Sequence, residues 1–123
     1  MKKLLFLFVL ATMATIGSFA QGTFSITKHS FGKIKQGTPV TYLFSFKNNT
    51  AKPLIIETAT AECGCTTPEY PKEPIAKGKD GKIKITYNAA MSGVFTKHVN
   101  VKFAGVDAPT VLTIEGEVIA KSK

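Results

Sequence analysis

Cys63 and Cys65 are the only cysteines in the chain, and a single residue, Gly64, separates them. They sit in Thr60-Ala61-Glu62-Cys63-Gly64-Cys65-Thr66-Thr67-Pro68, the one stretch whose residue types and spacing hint at chemistry. Four states are open to such a pair. The first is a disulfide between neighbours two apart. In a straight strand their Cα atoms would lie about 6.6 Å apart, at the upper edge of disulfide geometry. Gly64 would let the backbone bend and shorten that distance. A ring of three residues removes little unfolded-state entropy, about 1.6 kcal/mol in the chain-entropy treatment. Such a bond is a poor staple and an easily reduced one. The second state is a dithiol holding a soft metal, copper(I) or zinc, with Met91 or a histidine as a third ligand. In the third, both cysteines pack as small apolar residues. In the fourth, they pair with another chain, although an even count leaves no odd thiol that requires this. Structural use, as disulfide or packed thiols, is favoured over redox or metal work. No cofactor is expected, with copper or zinc as the alternative.

The other candidate groups are weaker. A nucleophile needs a base beside it and a third group to orient that base. The only histidines, His29 and His98, are both distant in sequence from the cysteines and read as exposed strand residues. Glu115 and Glu117 share one face of a strand, as carboxylates on solvated faces commonly do. Gly78 and Gly81 flank lysines in a turn and precede no helix, so they make no phosphate loop. No catalytic residue is assigned, and the chain is not expected to be an enzyme.

These residues must be positioned in a definite compartment. Lys2 and Lys3 precede an uncharged, mostly apolar run from Leu4 to Ile16, and Ser18-Phe19-Ala20 puts small residues before Gln21. That order is a secretory signal peptide over residues 1–20, leaving one domain over residues 21–123. The run is shorter than the roughly 20 apolar residues of a membrane span, and no stable membrane insertion is expected after cleavage. An exported chain, periplasmic or extracellular, suits a cysteine pair in an oxidising compartment. The full chain carries a formal charge of +8, and removal of Lys2 and Lys3 lowers it by two. All its basic residues are lysines, without the arginine forks that read phosphates and bases. The lysines are distributed along the strands, so nucleic acid is not an expected partner.

Strands supply the frame. Phe24 and Ile26 alternate with polar neighbours, and His29–Ile34 is a second extended piece with a kink at Gly32. Gln36-Gly37 is a turn. Val40, Tyr42, Phe44 and Phe46 line the inner face of a strand over 38–47, with Leu43 covering the other face. Asn48–Pro53 is a loop, and Leu54 and Ile56 face inward on a strand ending at Ala61. Pro68, Pro71 and Pro74 restrict the next segment to an edge strand or crossing piece. Lys77–Gly81 is a turn. Ile83, Ile85 and Tyr87 mark another strand, with Lys82 and Lys84 outward. After the Asn88–Gly93 loop, Phe95, Lys97, Val99, Val101 and Phe103 share one face. Gly105–Pro109 turns the chain into a last strand with Leu112, Ile114 and Val118 inward. Phe31 joins the inward aromatics, while Tyr70, among prolines, is expected to be exposed. About seven short strands with regular turns and no amphipathic helix predict an all-β, immunoglobulin-like β-sandwich.

Several of these segments also resemble a known family. They are Phe31-Gly32-Lys33-Ile34, Gly37, Phe44-Ser45-Phe46-Lys47-Asn48, Cys63-Gly64-Cys65-Thr66-Thr67-Pro68, and Pro74-Ile75-Ala76-Lys77-Gly78 with Gly81–Tyr87. The set resembles domain-of-unknown-function family 1573, secreted Ig-like domains of Gram-negative bacteria. Those are similar in fold to the ASPM/SPD-2/Hydin and major-sperm-protein group. The likeness runs from Phe24 to Val118, and Cys-Gly-Cys-Thr is its most specific element. It implies fold and export, and no activity.

The expected function is therefore an exported, non-enzymatic binding or envelope-structural module whose partner is an envelope or extracellular protein. The alternative is a periplasmic thiol-redox or soft-metal domain using Cys63 and Cys65. Successive strands of a sandwich run between two poles. The strand ending at Ala61 starts at the Asn48–Pro53 pole, so the cysteines are expected at the opposite one. Gln36-Gly37 and the Met91 loop belong there too, and Gly105–Pro109 should be remote.

Overall fold

The computed structural model describes residues 23–121; the segment read as a signal peptide lies outside them. All regular elements among these residues are strands: β1 (Thr23–Phe24), β2 (Lys28–Lys35), β3 (Val40–Lys47), β4 (Ile56–Ala61), β5 (Thr66–Glu69), β6 (Asp80–Tyr87), β7 (Gly93–Phe103) and β8 (Thr110–Ile119). They form two four-stranded sheets, ordered β1-β3-β6-β5 and β2-β8-β7-β4. The neighbours pair antiparallel, except that β2 lies parallel to β8. No helix among the described residues is long and apolar enough to cross a membrane.

The alternation read from the sequence faces the core as expected. Phe44, Phe46, Ile83, Ile85 and Tyr87 come inward from one sheet, and Phe95, Val99, Val101, Phe103, Leu112, Ile114 and Val118 from the other. Aromatic rings knit the layers. Phe46 meets Phe103 at 5.6 Å between centroids, and Tyr87 stacks on Phe95 at 4.0 Å. Both glycines on inward strand positions lie under a ring. A Cβ on Gly81 would meet Phe46 Cζ at 2.4 Å, and one on Gly116 would meet Phe95 at 3.0 Å and the Gly32 carbonyl at 2.8 Å. Gly81 therefore belongs to β6 rather than to the preceding turn.

Four expectations are corrected. Ile26 does not continue the first strand inward. β1 ends at Phe24, the chain crosses to the other sheet, and Ile26 is left 42% exposed in the crossing. This crossing separates β1 from β2 and brings the count to eight, in keeping with the expected sandwich of about seven strands. The kink at Gly32 is present, with φ of 71° and a register shift between Ser30 and Lys33. Leu43 lies on a central strand, but nothing covers its face and it is 47% exposed. Tyr70 is half-buried against the core, with Lys72 Nζ 4.3 Å above its ring. His29 is half-buried as well, stacked on Tyr42 at 3.7 Å and edge-on to Phe31.

The two poles differ in what holds them. At one, Asn48 is fully buried and fully bonded. Its Nδ2 donates to the Lys52 and Ile75 carbonyls, both at 2.8 Å, and its Oδ1 accepts from the Thr50 amide and hydroxyl. Ala104 N–H donates to Ile55 O at this same end, which places the Gly105 turn here. The other pole gathers the Gln36-Gly37 turn, the Cys63–Cys65 segment and the Asn88–Ser92 loop.

Candidate functional site

The cysteines occupy the crossover from β4 in one sheet to β5 in the other. β4 ends where Ala61 pairs with Val99, and β5 begins where Thr66 pairs with Tyr87. Four residues must turn the chain between the layers, and this turn brings the sulfurs together. Cys63 and Cys65 are joined as a disulfide, with Cα atoms 5.3 Å apart, shorter than a straight strand would give. Gly64 is not among the glycines with positive φ, and a Cβ there would meet nothing within 4 Å. The bend is made without left-handed backbone at this glycine.

The pole closes through backbone hydrogen bonds. Asn88 N–H donates to Cys65 O at 2.9 Å, and Gly37 N–H donates to Ala89 O at 2.8 Å. The Gln36 side chain donates to Ala90 O and accepts from Lys121 N–H. Ala89 is buried with φ of 55°, a left-handed conformation that a side chain takes only at a cost of about 1–2 kcal/mol, imposed here by these contacts. The topology thus puts the cysteines, the Gln36 turn and the Met91 loop at one pole.

Three neighbours escape the sequence pattern. Thr66 is 4% exposed, and its Oγ1 lies 3.6 Å from Cys65 Sγ and 3.8 Å from Cys63 Sγ, within hydrogen-bond reach for sulfur. Glu62, immediately before Cys63, accepts from His98 N–H at 2.9 Å and approaches its imidazole Nδ1 at 3.3 Å. The His98 backbone hydrogen bond, aided by the His98 side chain and by Lys97, holds the Glu62 carboxyl below its usual range against desolvation, which acts in the other direction. His98 remains exposed, as expected, but the antiparallel ladder brings it beside the cysteine segment. The Cys-Gly-Cys-Thr spacing was the one available signal for Thr66; Glu62 and His98 meet only through the β4–β7 register.

Other candidate groups are dispersed. Met91 stands on the same loop cluster and is 76% exposed. Among the described residues no three of His, Cys, Asp and Glu converge as a metal cluster, and the bonded sulfurs offer no thiolate in this state. Glu115 is bound to Lys28 at 3.4 Å rather than paired with Glu117 for acid–base work. A shallow depression beside Gly116, lined by Ser30, Thr96 and Glu115, gathers no nucleophile and base.

Two packed four-stranded sheets, antiparallel except for the β2–β8 pair, define an Ig-like β-sandwich. The chain belongs to the family described as protein of unknown function (DUF1573), whose model matches residues 23–118. No curated protein matches it. Among solved structures it is similar to the ASH/PapD-like domain of human CEP192 (PapD-like domain 7), at 9% identity and a TM-score of 0.72, over 95% of this chain and 99% of that one. It is also similar to a protein of unknown function from Porphyromonas gingivalis W83, at 16% identity and 0.66, over 81% of this chain and 49% of that one. A third likeness is to the VesB protease of Vibrio cholerae, at 14% and 0.61, over 79% of this chain and 32% of that one. The chain thus spans about half the length of the Porphyromonas protein. Identities this low speak to the fold alone.

Proposed function

We propose that the domain is an exported, non-enzymatic binding module that docks an envelope or extracellular protein through its disulfide pole. The observation that carries this reading is the exposure of Met91 and Val94, at 76% and 80%. They are the two most exposed large apolar side chains among the described residues, three positions apart at one pole. Loops clustered at the end of a sandwich are its usual contact surface, and apolar side chains left in water there gain by being covered.

The sheet edges support a pole rather than strand addition. β1 has two residues and β5 contains Pro68, which cannot donate to a ladder. β2 is bulged at Gly32 and carries Lys28, Lys33 and Lys35; β4 is irregular between Ile56 and Thr58. Each of these devices discourages a further strand. Lys35 and Lys121 flank the Gln36 turn, so the fitting partner surface is apolar with an acidic rim. With His29 stacked on Tyr42 and the cysteines bonded to each other, neither supplies a base–nucleophile pair, which favours binding over catalysis.

The test is capture from envelope extract with wild-type protein and a Met91→Lys/Val94→Lys double variant of unchanged melting temperature. A specific partner should be retained by the first and lost by the second; equal retention refutes the pole. Intact mass should show the exported protein beginning at Gln21, and full-length chain in the membrane fraction would overturn the export reading.

A further inference from the structure

We infer that Cys63–Cys65 is a thiol–disulfide exchange site whose substrate is a dithiol, with Thr66 holding the thiolate that leaves. The inference stands apart from the docking reading, since it concerns the chemistry of the sulfurs and not what covers Met91 and Val94.

Three observations converge on it. The first is position. A ring closed over one intervening residue restrains the unfolded chain little, and the fold on either side is already tied. β4 is held to β7 up to Ala61, β5 is held to β6 from Thr66, and Cys65 O accepts from Asn88 N–H. Opening the bond leaves those ladders in place. The second is access. Both cysteines are half-buried at a pole, Cys65 packed against the core and Cys63 outside that cluster, so a thiol reaches Cys63 Sγ first.

The third is the Thr66 hydroxyl. It is buried, and among the described residues its hydrogen-bond partners are the two sulfurs, at 3.6 and 3.8 Å. A disulfide sulfur is a feeble acceptor, whereas a thiolate is charged and accepts strongly. The hydroxyl therefore favours the reduced form over the oxidised one and lowers the basicity of the leaving sulfur. Exchange is faster when the leaving thiol has a lower pKa. Glu62 adds a negative charge next to Cys63, and its carboxylate is held by the His98 amide and imidazole.

The step balances as follows. A thiolate of the incoming dithiol attacks Cys63 Sγ and forms a mixed disulfide. The Sγ–Sγ bond breaks, and its electron pair leaves on Cys65 Sγ, which accepts the Thr66 O–H. The second thiolate of the dithiol then attacks its own sulfur in the mixed disulfide and closes an internal disulfide, releasing Cys63 as thiolate. The dithiol loses two electrons and two protons, and Cys63 and Cys65 take them up. Run backward, the reduced pair delivers them to a disulfide.

The experiment mixes folded, oxidised protein with dithiothreitol as the dithiol probe. Reactions are quenched by alkylation, counted by mass, and accompanied by circular dichroism. Wild type should be reduced at a rate proportional to dithiothreitol concentration while its dichroism stays native. Thr66→Val, which keeps shape and loses the hydroxyl, should react about tenfold more slowly and shift the equilibrium toward the disulfide, as expected for loss of a hydrogen bond to a charged group. Thr66→Ser should restore both. A wild-type rate that saturates at the rate of unfolding overturns the inference, because the bond would then open only in the unfolded chain. Equal rates and equilibria in wild type and folded Thr66→Val overturn the role of the hydroxyl. If Thr66→Val does not fold, the thiol dependence of wild type decides the exchange, and Thr66→Ala, which also lacks the hydroxyl, takes its place in the comparison of rates and equilibria with Thr66→Ser.

Discussion

Replacing Asn48 by Ala should unfold the protein far more readily than a loop substitution normally does. Asn48 directly follows β3 and is fully buried, with four side-chain hydrogen bonds to Thr50, Lys52 and Ile75. Four net hydrogen bonds at about 1 kcal/mol each would suggest about 4 kcal/mol. Part of that is recovered. The Lys52 carbonyl keeps the Thr50 hydroxyl, and the Ile75 carbonyl keeps the Leu54 amide. The backbone bonds of Asn48 to Lys79 and Gly78 also survive the change. The Thr50 amide loses its acceptor, and a small void remains. The loss should be about 2–4 kcal/mol, seen in urea unfolding as a midpoint shift of roughly 1–3 M with an unchanged slope. Asn48→Asp keeps the shape but sets a carboxylate against two carbonyls, and should cost at least as much at neutral pH. Neither variant should alter the reactivity of Cys63–Cys65, which lies at the other pole. A loss below about 1 kcal/mol for Asn48→Ala would mean that water replaces these bonds and that the loop is not a fixed part of the fold.

Phe44→Ala should cost about 3–5 kcal/mol in the same assay, and Leu43→Ala less than about 1 kcal/mol; the reverse order would invert the register of β3. Glu62 should make a pH-dependent contribution. Its folded pKa is depressed, chiefly by the His98 backbone hydrogen bond, so its stabilisation is present above the ordinary glutamate value of 4.5 and lost as pH falls through the lower folded value. Wild type should therefore be more stable than Glu62→Gln at neutral pH and equal to it in acid, and a difference independent of pH would refute the pairing.

The sequence determined which side of most strands faces the core. A pleated strand alternates its side chains strictly, so Phe44 and Phe46, or Ile83 and Ile85, announce their face without knowledge of the neighbours. Prolines 68, 71 and 74 likewise confined β5 to an edge, and strand counting put the cysteines at the pole opposite Asn48. The tertiary structure decided what local alternation cannot carry. Ile26 continues an apolar alternation and Leu43 stands on the opposite face of β3, yet neither meets a second layer, because burial depends on what another part of the chain lays over them. β2 runs parallel to β8 because the chain changes sheets after Phe24. Asn48 reads as an ordinary loop residue until Ile75 arrives to accept its amide. Thr66 reads as one more strand threonine until the crossover folds two sulfurs onto its hydroxyl. Glu62 and His98 are separated by β5 and β6 in the chain and meet only across the β4–β7 ladder. Hydrogen bonds of that kind are set by long-range register, and a single sequence records the residues but not the register that brings them within 3 Å.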